Sequence, residues 1–124
     1  MLKKVPAAAV ALLLLVPETV PAQTKKVAPA VPPELNLGKA IYLKNCAVCH
    51  GVDVKGTKNG PPLIHKIYHP GHHADGAFYL AVKVGVRQHH WKFGSMPPVK
   101  GVDQNMTTAI IKFIRHLQKE AGIF

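Results

Sequence analysis

The sequence has only 2 cysteines in 124 residues, which excludes a disulfide-rich scaffold. Acidic residues are also scarce. Six Asp plus Glu stand against 16 Lys plus Arg, a formal net charge of +10 with neutral histidine. Such a molecule is drawn to acidic protein surfaces, anionic lipid or nucleic acid, and charge alone does not choose among them. A bilayer-spanning run is missing as well. The apolar stretch from Val5 to Val16 is 12 residues long and stops at Pro17, whereas a transmembrane helix needs about 20. No internal repeat is present, and 48% hydrophobic residues exclude intrinsic disorder and collagen-like repetition.

Lys3 and Lys4 precede that apolar stretch, and Val20-Pro21-Ala22 follows it with small residues at its first and third places. A basic start, a short apolar run and a small-residue site form a secretory signal. Cleavage is expected after Ala22. The competing reading, an uncleaved anchor helix, is broken by Pro17 and Pro21. Removal of Lys3, Lys4 and Glu18 leaves 14 basic and 5 acidic residues, or +9, so the basic character belongs to the exported chain. Residues 23–34 are rich in Pro and Ala and read as a flexible leader. The folded domain is expected from Leu35 to Phe124. At some 90 residues its side-chain core is thin, and a cofactor or staple would help it.

Cys46-Ala47-Val48-Cys49-His50 is the most informative segment. C-x-x-C-H is the attachment signature of c-type haem. Two cysteines on one helical turn can each form a thioether with a haem vinyl group, and the adjacent His50 then offers its imidazole to the iron. The alternatives are a thioredoxin-like dithiol, a structural disulfide or half of a zinc site. Zinc would want a second Cys or His pair, and no other cysteine exists; a redox dithiol would want a βαβ context, whereas the flanks here are helical in pattern.

With this motif and its surroundings, the stretch from Leu35 to Phe124 resembles the small monohaem class I cytochromes c of the bacterial periplasm, which implies an all-α fold of short helices wrapped around one covalently attached haem. Gly38-Lys39-Ala40-Ile41-Tyr42 leads into Cys46 at the family's distance, with Asn36 expected as N-cap of the first helix. The resemblance implies that this helix crosses the last one, Gly38 providing the small contact point and Tyr42 an aromatic partner. Gly60-Pro61-Pro62-Leu63 matches the family's G-P-x-L element after a Gly/Lys-rich loop from Gly51 to Gly60. By resemblance, the Pro61 carbonyl orients His50 through its other ring nitrogen and Leu63 packs on the haem. Taken alone, the same segment is an ordinary Pro-rich turn.

Two methionines remain after signal removal. Met96 lies in Phe93-Gly94-Ser95-Met96-Pro97-Pro98, which matches the family's G-x-M-P loop, so the resemblance makes Met96 the second axial ligand of the iron beside His50. Met106 falls instead on a stripe with Ile110, Phe113 and Leu117, spaced 4, 3 and 4, which is a core-facing pattern. That last helix is expected over about Asp103 to Lys119 with Asp103 as cap. A shorter helix is expected over Asp75 to Val84. Trp91 is assigned to the cofactor site, either packing its body there or directing its indole N–H to a propionate.

Of 8 histidines, seven lie outside the motif: His65, His69, His72, His73, His89, His90 and His116. His65 and His69 are four apart, and His72-His73 follows a Pro-Gly turn, so a copper, zinc or nickel site stands beside the alternative of solvated or capping rings. Unperturbed histidines charge near pH 6.5, so docking to acidic partners should strengthen in mild acid.

The resemblance therefore implies a non-enzymatic one-electron shuttle carrying one haem c through Cys46 and Cys49, with His50 and Met96 on the iron. Two strong axial ligands leave no open position for oxygen or peroxide. Lys39, Lys44, Lys55, Lys58, Lys66, Lys92 and Lys100 would steer encounter with acidic redox partners such as a membrane oxidase, reductase or dehydrogenase. A monomer is expected, with at most peripheral membrane contact. Nucleic acid is not expected, because export removes the chain from it and no stacking platform interleaves the lysines. The competing functions are a haem subunit of a larger oxidoreductase, a five-coordinate haem enzyme or sensor, and a histidine-rich metal-binding protein.

Overall fold

The computed structural model describes residues 26–124. The expected signal sequence over residues 1–22, its cleavage after Ala22 and the first three leader residues lie outside them. Four helices follow in order: α1 (Asn36–Asn45), α2 (Ala47–His50), α3 (Asp75–Val84) and α4 (Gln104–Glu120), with 3-10 turns at Pro33–Leu35 and Lys66–Tyr68. The described residues contain no strand, only isolated bridges at Thr57–Gly60 and Val86–Met96. The fold is all-α. No helix among the described residues is long and apolar enough to cross a membrane.

Asp103 caps α4 as its sequence position suggests. Its carboxylate accepts from the Met106 N–H at 2.8 Å, three residues in, which satisfies one of the helix's otherwise orphaned donors. Asn36 does not cap α1. The chain is already helical before it, because Pro33 opens a 3-10 turn and Leu35 N–H donates to the Pro32 carbonyl at 2.9 Å. Proline's fixed φ suits that first turn, so Asn36 becomes the first residue of α1 and its side chain caps nothing. Part of the Pro/Ala segment is docked, since Val31 packs against the core and Lys39 donates to the Pro29 carbonyl at 2.6 Å.

The core lies where α1 crosses α4. Ile41 and Tyr42 from α1 meet Ile110, Phe113, Ile114 and Leu117 from α4, all buried, and the Tyr42 and Phe113 rings stand 5.3 Å apart at 49°. The crossing depends on Gly38. A Cβ there would overlap the backbone carbonyl of Ala109 and stand 3.2 Å from Phe113 Cβ. Met106 packs against this core from the edge of the stripe. Helix α3 joins α4 through a 2.8 Å hydrogen bond shared by the Tyr79 and Thr108 hydroxyls.

Candidate functional site

The motif occupies the short helix α2 and the residue before it. Tyr42 donates from its buried hydroxyl to the Gly51 carbonyl at 2.8 Å, tying α1 to the far end of the motif. Burial, with smaller contributions from Cys46 and Asp53, raises this phenol well above its ordinary pKa, so it remains a donor. Gly51 reverses the chain at φ +83°, a backbone region that favours glycine. The loop then folds back over α2. Gly56 N–H donates to the His50 carbonyl at 2.8 Å, and the Thr57 hydroxyl donates to the Cys49 carbonyl at 2.7 Å. Val54 sits at φ +63° while fully buried. A left-handed β-branched residue costs roughly 1–2 kcal/mol, and burying its side chain recovers about 1.5–3 kcal/mol, so the strained backbone is held by the core.

His50 is buried, and its Nδ1 stands 2.9 Å from the Pro61 carbonyl oxygen. A carbonyl only accepts, so Nδ1 carries the proton and Nε2 keeps its lone pair. Burial holds the ring below the ordinary histidine pKa, with the Pro61 bond opposing the shift. His50 is thus a neutral imidazole of fixed tautomer, the form a metal binds.

His50 opens on a mostly apolar cavity of about 580 Å³, lined also by Cys46, Pro61, Leu63, Trp91 and Met96, with Ile110 and Ile114 of α4 at its back. That is the size range of a large organic ligand. Cys49 is half-buried on the same turn but does not line the cavity; Cys46 and Cys49 are both free thiols. Burial, then the neighbouring Cys49, pushes the Cys46 thiol up to about 11.

Met96 is placed by its backbone. It exchanges two hydrogen bonds with Val86, at 2.9 and 2.8 Å, and Val99 N–H donates to the Val82 carbonyl of α3 at 2.9 Å. Gly85 permits the approach, having φ +82° and no Cβ to collide with the Met96 carbonyl. Every sequence-derived site residue except Cys49 therefore meets in one cavity. Trp91 lines it, and its indole N–H donates to the Tyr68 hydroxyl at 3.2 Å, an acceptor the sequence did not disclose.

Two residues of the site's support escaped the sequence reading. Arg115 donates to the Tyr68 and His73 carbonyls, each at 2.6 Å, to Gln118 Oε1 at 2.7 Å and to Asp75 at 2.8 Å. Gln118 is fully buried and donates to the Leu63 carbonyl at 2.8 Å. Their one sequence signal is polarity three residues apart beside the apolar stripe of α4. The histidines are also redistributed. His65 and His69 use Nδ1 to accept from Ile67 and Gly71 N–H groups in their own turns, whereas His72, His73 and His90 converge. The His90 ring is held below the ordinary histidine pKa by lost hydration, then by His89, His73 and His72.

Haem fits this arrangement. A large, mostly apolar cavity, two free thiols on one turn, one of them lining it, and a neutral imidazole with its tautomer fixed suit covalent attachment and iron ligation. No curated protein and no solved structure matched the sequence. The family model described as Cytochrome c matches residues 35–118; that family's membership implies a covalently held haem c and haem-based electron transfer, and the chain belongs to the cytochrome c family.

Proposed function

We propose that this protein is a class I cytochrome c of the bacterial periplasm that carries single electrons between acidic redox partners, with Cys46 and Cys49 as thioether anchors and His50 and Met96 as axial ligands. The observation that carries this reading is the meeting of Cys46, His50 and Met96 on one apolar cavity. When bound, haem supplies a one-electron ferric/ferrous couple. The chain's own residues do the rest. Pro61 keeps the His50 tautomer, the Val86 pairing holds the Met96 segment, and Leu63, Ile110 and Ile114 would keep water from a haem held in the cavity, which with methionine ligation would favour the reduced state. Lys44, Lys55, Lys58, Lys66, Lys92 and Lys100 are exposed, available to steer a partner; Lys39 is half-buried on Pro29.

The test is the oxidised protein's weak near-infrared absorption band from iron–methionine sulfur ligation. The band is expected in the wild type and should vanish in Met96→Ala while haem stays covalently attached. Its absence from the wild type would overturn the His/Met assignment in favour of an open or bis-histidine iron, as a catalytic or sensing haem would need. The rate with a redox partner should fall as salt rises; a flat response would remove the steering role.

A further inference from the structure

The histidines of the 72–73 and 89–90 segments come together from two loops at the rim of the haem cavity. One ring nitrogen from each of His72, His73 and His90 lies within 4.8 Å of the others, and the Nε2 atoms of His72 and His90 are 3.3 Å apart. That distance is the length of a hydrogen bond between the two rings, and it also suits a shared ion. Two nitrogens each about 2.0–2.1 Å from a zinc ion, at the tetrahedral angle, stand about 3.3 Å apart; a square-planar arrangement with similar bonds would bring adjacent nitrogens to about 2.8 Å.

One of the three rings is also held from behind, as is a neighbouring one. His73 Nδ1 donates to the Ile67 carbonyl at 2.8 Å, and His89 Nδ1, beside the cluster, donates to the Arg87 carbonyl at 2.9 Å. Backbone carbonyls in this role fix the tautomer and leave Nε2 as the free lone pair, the usual support behind a metal-binding histidine. Arg115 grips the Tyr68 and His73 carbonyls, each at 2.6 Å, so the loop bearing His72 and His73 is anchored on both sides. No carboxylate takes part in the cluster, which disfavours calcium and magnesium. The chain's net charge of +10 opposes any cation held by charge alone. Coordination bonds from imidazole are then what remains, and those suit zinc and its neighbours.

We propose that His72, His73 and His90 form a zinc-type divalent metal site at the edge of the haem cavity, separate from the iron, with three imidazole ligands and a fourth position open to water. The site stands on the histidine geometry and does not depend on which residue takes the sixth position of the iron, provided none of these three does.

The test is calorimetric titration of the reduced, haem-loaded protein with zinc ion alone, followed in parallel by its visible spectrum. One zinc per chain is expected, with the haem bands unchanged. His72→Ala and His90→Ala should each weaken binding by at least about 100-fold, more than the 10–100-fold typical of losing a supporting hydrogen bond. His116→Ala, outside the cluster, should leave it unchanged, and retention of the haem spectrum shows that each variant is folded. His90→Gln serves where alanine fails to fold. Absence of binding, binding that survives both substitutions, or haem bands that change in His90→Ala without zinc would each overturn the site, the last because the ring would then sit on the iron.

Discussion

Gln118, fully buried on α4, donates from Nε2 to the carbonyl of Leu63 at 2.8 Å across 55 residues of chain. This bond fastens the last helix to the segment that follows Pro61, the partner of His50. Its Oε1 accepts from Arg115 at 2.7 Å, so both ends of the amide are used. Replacing Gln118 by Leu preserves bulk but leaves a buried carbonyl unpaired, which costs about 1–3 kcal/mol. Denaturant unfolding of the haem-loaded protein should show that loss; a difference below about 0.5 kcal/mol would mean that water replaces the amide.

The α1–α4 crossing gives a sharper prediction. The neighbour that a side chain at Gly38 would strike is the Ala109 backbone, which cannot rotate out of the way as a flexible side chain could. Gly38→Ala must push the helices apart and should cost about 3 kcal/mol, the upper end of ordinary overpacking. Gly38→Val should cost more. An unchanged melting temperature for Gly38→Ala would show that the crossing has room.

Much of this architecture was legible because it is periodic or motif-bound. The stripe Ile110, Phe113, Leu117 faces the core as its spacing implies, Asp103 caps α4, and α3 spans the expected Asp75–Val84. The Asn36 cap was misplaced because a Pro-initiated 3-10 turn upstream supplied a helix start that side-chain capping rules do not see. Arg115, Gln118 and the His72–His90 meeting were invisible for a different reason. Each joins residues far apart in sequence, and a single sequence does not encode which polar group will face which carbonyl. His65 and His69 show the converse, since their i, i+4 spacing suggested a shared site while each instead closes its own turn.

The histidine cluster makes stability pH-dependent, and its sign follows from the His90 ring. Lost hydration and the neighbouring rings hold its folded pKa below the ordinary value, so as pH falls the unfolded chain takes up this proton first, near 6.5. Above 6.5 neither state is protonated at this ring and it contributes nothing; below 6.5 protonation favours unfolding, until the folded ring also titrates. Urea midpoints at pH 7.5 and 5.5 should therefore differ more for the wild type than for His90→Gln. Equal differences would assign the acid sensitivity elsewhere.

Arg115 should outweigh its own ion pair. Its contact with Asp75 at 2.8 Å pairs a side chain 12% exposed with one 59% exposed, and a pair open to water on one side is worth at most about 1 kcal/mol. The bonds to the Tyr68 and His73 carbonyls are different in kind. They are short, part-buried and made by two separate nitrogens of one planar fork, a geometry that lysine's single ammonium does not reproduce. Charge-assisted hydrogen bonds contribute about 1.5–3 kcal/mol each. Arg115→Lys should therefore lower stability by about 2–3 kcal/mol and speed amide hydrogen exchange between His69 and Ala74, whereas Asp75→Asn should cost less than about 1 kcal/mol and leave that exchange unchanged. If the two substitutions proved equal, the arginine would act through its carboxylate partner, and the loop carrying His72 and His73 would have to be held by contacts other than this guanidinium.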